Sequence, residues 1–395
     1  MNALAPNIFA ESARNTAPAV PDWLDQRRVE AIKTLEAQGT PHRRIEDWKY
    51  TDLRSALESN DVSVAATAAW SIEKVPAGVT LFDLADLAKA PAWVRAHYGK
   101  AAAAETMPAA SLALARGGFA LHVARDRVVG EPVRVSISGD GNVRALIVLD
   151  EGAELTLIEE QDSSGAFRNT GIEIVVGENA RFTHLRLATS ASKSVQVEDV
   201  AVRVARDATY RAHLFNYGAE LSRLTLRLTL KEPGSSANIF GVSVLGSAVH
   251  ADVTTHVYHA SPETRSEQLF KHVVGGKARA VYQGKITVAE GADKSDSRQT
   301  AKALLLGERA EADLKPELEI FADEVKCAHG AAVGDLDADS LFYLRARGIP
   351  ENEARNMLLR AFLLEAVDAI ENEEIRGAFW RTVEEALPRA MVSTV

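Results

Sequence analysis

The chain has 395 residues, 45 lysines and arginines against 55 aspartates and glutamates, and a formal net charge of −10. Its 46% hydrophobic and 25% charged residues are ordinary globular composition, with too little glycine and proline for a collagen-like or low-complexity chain. A single cysteine excludes an internal disulfide, and excludes a metal or iron–sulfur site built from this chain's thiolates alone.

The start, Met1-Asn2-Ala3-Leu4-Ala5-Pro6, has no basic n-region and no apolar h-region, so it does not read as a signal peptide. No stretch approaches ~18 uninterrupted apolar residues, so no membrane-spanning helix is expected. A reducing cytoplasm is the default compartment. The acidic balance argues against a broad nucleic-acid surface, and the short basic pair Arg43-Arg44 reads as solvated charge.

Residues 1 to 20 read as a loose leader. From Asp22 to Glu58 the spacing of Leu24, Val29, Ile32 and Leu35 predicts helix, interrupted at Pro41. Residues 60–115 mix short strands with alanine-rich pieces, and Ala101 to Ala104 read as a loop.

The middle of the chain differs. From Phe119 to Lys326 apolar and polar residues alternate in short bursts, as in Ala145-Ile147-Leu149, Ile172-Ile174-Val176 and Leu224-Leu226-Leu228-Leu230. A period of two predicts strands. The turns between bursts recur, and their closing alanines at 153, 180, 208 and 237 stand 27, 28 and 29 residues apart. That repeat favours a β-helix, whose coils stack around one interior, over a β-sandwich.

After Gly330 the pattern turns helical. Asp337 or Asp339 caps a helix from Ser340 that carries Leu341 and Leu344 and ends at Gly348. Pro350, Glu351 and Glu353 open a second, with Met357, Leu358, Ala361, Phe362, Leu364 and Ala369 as its apolar face. A third runs from Asn372 to Ala386, with Pro388 just beyond it. These helices are expected to cap the strand edges at the solenoid's end. The expected organisation is a mixed helical region over 1–115, a β-helix core over 116–335 and a helical region over 336–395.

Cys327 and His329 are the chemistry-bearing pair. In an extended stretch, positions i and i+2 face one way, about 6.6 Å apart, so both side chains could reach one metal. Two ligands do not close a site; a partner or distant residues must supply the others. The competing reading is a free cysteine beside an ordinary histidine. His250, His256 and His259 lack a zinc spacing and read as hydrogen-bonded strand residues; His272 is no better supported. No G-x-S-x-G elbow, phosphate-binding glycine loop or spaced carboxylate pair is present, which leaves a β-helix hydrolase or lyase as a remote alternative.

Two segments carry a family likeness. Cys327-Ala328-His329-Gly330-Ala331-Ala332-Val333-Gly334-Asp335-Leu336-Asp337, with Leu341-Phe342-Tyr343-Leu344-Arg345-Ala346-Arg347-Gly348-Ile349, resembles the C-terminal signature of the SufB/SufD family. Glu46-Asp47-Trp48-Lys49-Tyr50-Thr51-Asp52-Leu53 resembles a segment near the start of its SufD members, and the single cysteine fits that side of the family. The resemblance implies a right-handed β-helix between helical ends. It implies a non-enzymatic subunit of the SUF iron–sulfur assembly complex, paired with a SufB-like scaffold and carrying a SufC-like ATPase. His329 would sit at the scaffold interface with Cys327 near it, as interfacial iron ligands. The region Ser340 to Ala369, with Leu341, Leu344, Met357, Leu358 and Phe362, would dock the ATPase. No cofactor would be held stably by this chain alone; iron or a cluster would pass transiently through the complex. A self-associated, iron-handling homodimer is the alternative.

Overall fold

The computed structural model describes residues 7–60, 62–101, 105–162, 164–189 and 192–391. Its centre is a β-solenoid of two facing sheets, each of nine strands among the described residues. From Gly118 onward, strands of one sheet alternate along the chain with strands of the other, and each pairs in parallel with its counterpart one coil later. The β-helix expectation holds, and the sandwich alternative falls. The core it encloses includes Phe119, Ile147, Ile174, Val202, Leu226, Val257 and Ile286.

The repeated turn explains the period. Ala153, Ala180, Ala208 and Ala292 each donate their N–H back to the carbonyl three residues earlier, at 3.1–3.2 Å. The preceding residues Gly152, Asn179, Asp207 and Gly291 all have positive φ, where Gly, Asn and Asp are least penalised. Each closing alanine is fully buried, so only a small side chain fits. One assignment changes. Ser235, not Ala237, closes the fourth turn, bonding Glu232 at 3.3 Å, and stands just before Ser236, where the ladder with Thr209 begins. The intervals become 27, 28 and 27 residues, and the later coils lengthen to 29, 31 and 30 between the paired residues Ser236, Arg265, Asp296 and Lys326.

The ends differ. At the N-terminal end, strands Ala69–Ile72 and Val79–Asp83 run antiparallel against Val133–Ser138 and Gly118–Val123. At the other end, Glu311–Ile320 and Lys326–Gly334 are the outermost strands, each with a neighbour on one side only. The C-terminal helices do not cap them, contrary to expectation. Leu359, Leu363, Val367, Phe379, Val383 and Leu387 instead pack on the flank, against Ile158, Leu185, Phe215, Val242 and Val273.

The helices correct the sequence reading in three places. Residues 1–6 of the expected leader lie outside the described residues, but Ile8–Thr16 is a helix, capped by Asn7 and anchored by fully buried Phe9 against Phe167. Tertiary packing, not propensity, holds so short a helix. The helix from Asp22 stops at Gln38, where Gly39 turns at φ 72°; Glu46–Trp48 is a 3-10 turn and Leu53–Asn60 a separate helix. The last helix, Glu373–Met391, runs through Pro388. Its final turn sits in a notch where a β-carbon at Gly246 or Gly275 would overlap the carbonyls of Arg389 and Ala390. That seat offsets the backbone bond Pro388 cannot make. Of the expected loop at Ala101 to Ala104, residues 102–104 lie outside the described residues; Ala101 is a bend bonded to Glu173 at 2.8 Å.

Burial holds the imidazoles of His213, His259 and His272 down at about 4, against 6.5 when free. Below about pH 6.5 the unfolded chain takes up protons that the folded chain refuses, so stability falls as pH drops from 6.5 toward 4. His272→Phe keeps a ring beside Phe270 and Tyr282 and removes one such proton. Urea unfolding at pH 6.5 and pH 5 should show a loss smaller by about 2 kcal/mol in the variant.

Candidate functional site

Cys327 and His329 lie on the last strand of one sheet, in register with Ser297 and Gln299 of the preceding coil. Ser297 and Gln299 are fully buried on the interior side, so Cys327, His329, Ala331 and Val333 share the face that lines the solenoid's interior. No further coil covers them. Cys327 is half-buried against the core, and His329 is exposed. On the facing strand Leu314 and Leu318 complete the core's edge, while Ile320, Phe321 and Val333 are 41, 63 and 47% exposed. The site is therefore the open cross-section of the solenoid.

Its floor is polar but uncharged. Ser297 Oγ meets Ser266 Oγ at 2.6 Å, and Ser266 Oγ meets His259 Nε2 at 2.9 Å. Gln299 Nε2 donates to the Tyr282 hydroxyl at 2.7 Å, in space that a side chain at Gly284 would fill. Burial pushes the Cys327 thiol up, opposed by the Ser297 backbone, so the free chain holds it protonated at neutral pH. A thiolate and an imidazole are both donors for iron. Among the described residues no three His, Cys, Asp or Glu side chains form a metal-holding group, so this face supplies a pair at most.

The histidines at 250–259 divide as the strand alternates. His250 faces out and meets Thr51 Oγ1 at 2.9 Å; His259 faces in, between Thr264 and Ser266. The nearby motif over 46–53 lies across the outside of the same coils. Trp48 is covered by the Arg223 guanidinium at 4.1 Å, which in turn bonds Asp252 at 2.6 Å. Gln283 donates to the Asp47 carbonyl at 3.3 Å, and Lys315 on the outermost strand pairs with Glu46 at 2.8 Å. The motif straps the N-terminal region to the coils next to the open end.

The C-terminal residues separate into two sets. Helix Ala338–Ala346 is capped by Asp337, whose carboxylate accepts from Ser340 N–H at 2.7 Å, and buries none of its residues. Leu341 and Leu344 are half-buried, and Phe342 and Tyr343 are 73 and 57% exposed. In helix Glu351–Val367 the packing face is Ala354, Leu359, Leu363, Ala366 and Val367. Met357 is exposed and Leu358 half-buried; Phe362 lies under the Lys271 ammonium at 4.4 Å. Sequence reasoning passed over Phe342, Tyr343 and Phe321; two adjacent aromatics on a helix without a buried stripe were the available signal.

His329→Ala should leave thermal unfolding unchanged, since the exposed ring closes no contact in the core. Cys327 should alkylate more slowly than free cysteine at about pH 7.5 and catch up only as pH rises past its raised pKa, read by mass spectrometry of timed iodoacetamide quenches.

Residues 137–362 match the family model for the SUF system FeS cluster assembly SufBD core domain, and residues 6–70 match that for the SufBD protein N-terminal region. The chain is 30% identical over 387 residues to the iron–sulfur cluster assembly protein SufD of Escherichia coli K12, covering 90% of this chain and 92% of that one. It is 27% identical over 369 residues to a SufBD family protein of Mycobacterium tuberculosis, covering 89% and 91%. A SufBD family protein of Synechocystis is 32% identical over 245 residues, covering 59% and 54%. The core-domain match takes in the coils from strand Gly141–Leu149 onward, the Cys327–His329 strand and the exposed helix that follows it, and the chain belongs to the SufBD family of iron–sulfur cluster assembly proteins.

Proposed function

We propose that this chain is a non-enzymatic subunit of a SUF assembly complex, which joins its open solenoid end to a SufB-like scaffold and carries a SufC-like ATPase on its C-terminal helices. The observation that carries this reading is the difference between the solenoid's two ends: short antiparallel strands finish one, and full-length parallel strands finish the other, beside exposed Ile320, Phe321 and Val333. An isolated protein rarely leaves such an edge uncovered. Cys327 and His329 stand on that face, so a joined scaffold would bring its own ligands beside them. Nascent cluster or iron is the cargo here. An open, shared site of two subunits could release what it assembles when the subunits shift.

ATP hydrolysis would enter through the exposed helix. Phe342 and Tyr343 are exposed on this helix between half-buried Leu341 and Leu344, and Met357 is exposed on the following one. An ATPase subunit seated there would lie close in sequence to the Cys327–His329 strand, so its movement could reach the interface through residues 335–337.

Coexpression with SufB-like and SufC-like chains tests the reading. The expected result is a complex that retains iron and sulfide, with cluster yield lowered by His329→Ala and retained ATPase lowered by a Phe342→Asp, Tyr343→Asp double variant. A chain that purifies alone, or a pure homodimer that binds iron without any scaffold, would reject it in favour of the self-associated alternative.

A further inference from the structure

The floor beneath the Cys327–His329 face is not fully satisfied by its own side chains. Its serines close a chain with His259, but the neighbouring amides do not. Gln299 Nε2 donates to the Tyr282 hydroxyl at 2.7 Å, and that hydroxyl donates to Gln268 Oε1 at 3.2 Å. Gln268 Oε1 also accepts from Thr255 Oγ1 at 2.7 Å. The other half of each amide, Gln268 Nε2 and Gln299 Oε1, has no partner among the described residues, although both residues are 1% exposed. Exchanging oxygen and nitrogen in either amide moves the orphan to the other atom type and does not remove it. The two glutamines are direct partners in the ladder, and His329 is the next partner of Gln299. An unpaired donor and an unpaired acceptor therefore stand side by side, starting one coil below the open face.

A second orphan lies further along the strand of Gln268. His272 shares that strand's interior face with Gln268 and Phe270, is 1% exposed, and leaves both ring nitrogens without a partner among the described residues. Burial keeps the ring neutral, so it holds one N–H donor and one bare acceptor. Its ladder partners are small, Ser243 on one side and Ala303 on the other. The rings of Phe270 and Tyr282 stand 6.5 and 6.4 Å from it between centroids, and the Tyr282 hydroxyl is engaged with the two glutamines.

Buried polar groups nearly always find a partner. Left dry, the four orphaned atoms would cost a sum comparable with the whole stability of a folded domain. Water relieves that cost, because it both donates and accepts and is held by about two to four polar partners. We propose that two interior sites beneath the open end bind water, one between Gln268 and Gln299 and one at His272 beside Ser243. The face that carries Cys327 and His329 is then wet from within. A subunit covering the end, as proposed above, would enclose this water and not displace it, so a shared site would keep a water-bearing wall on this side. The hydration belongs to the chain alone and stands or falls without the pairing.

A crystal structure of the full chain at a resolution that orders solvent tests it, with a second crystal pressurised with xenon. The expected result is water density within hydrogen-bonding distance of Gln268 Nε2 and Gln299 Oε1, and of a His272 nitrogen, with no xenon at either place. Dry apolar cavities take up xenon, so xenon at these positions would overturn the inference. So would amides and imidazole found turned to pair directly with protein atoms. In solution, magnetic relaxation dispersion of water counts long-lived internal molecules. Gln299→Leu and His272→Phe should each lower that count by about one. An unchanged count in both folded variants would overturn the inference, and the wild-type crystal decides it alone if a variant fails to fold.

Discussion

The parallel ladder between coils is the constraint on which everything else depends. Each coil satisfies the backbone groups of its strands by lying in register against the next coil. The strands keep that register while the connections absorb the differences in coil length, and the recurring turn is closed by Ala153, Ala180, Ala208, Ser235 and Ala292. A ladder also has two ends, and each must be dealt with. At one end the chain folds Ala69–Ile72 and Val79–Asp83 back against the first coil in the antiparallel sense. At the other, no strand follows among the described residues, which places the strand of Cys327 and His329 at the boundary of the molecule.

The interior changes character along the ladder in a way that suits that boundary. Its middle is aliphatic and aromatic around a buried ionic cluster of Glu159, Gln161, His184, Arg186 and Glu198. Toward the open end it becomes a layer of hydroxyls, amides and neutral imidazole, bonded to one another between His259, Ser266, Ser297, Gln268, Tyr282 and Gln299. Charges near the strands are matched where they are buried, as Arg223 is by Asp252 and Arg144 by Glu173 at 2.7 Å. The face that carries Cys327 and His329 thus rests on a rigid, uncharged floor. Burial against such a floor keeps the thiol neutral.

Both flanking regions grip the coils from the side. The strap of Glu46 to Thr51 crosses the outer face of one sheet, and the last two helices cover the outer face of the other. Neither covers the end. The same chemistry, apolar surface seeking cover, therefore stabilises the flanks and leaves the end uncovered.

Local pattern was enough for the strands, the turn period, the three C-terminal helices and the Cys327–His329 pairing on one face, because alternation, turn residues and caps act within a few residues of themselves. Long-range choices were not legible. Ile8–Thr16 forms only because Phe9 finds Phe167. The helix Glu373–Met391 passes Pro388 only because Gly246 and Gly275 leave a seat. The strap binds coils more than 150 residues away from it. That the helices take the flank and not the end, and so leave Cys327 and His329 uncovered, is decided by which apolar faces meet in three dimensions, and no one-dimensional period records that.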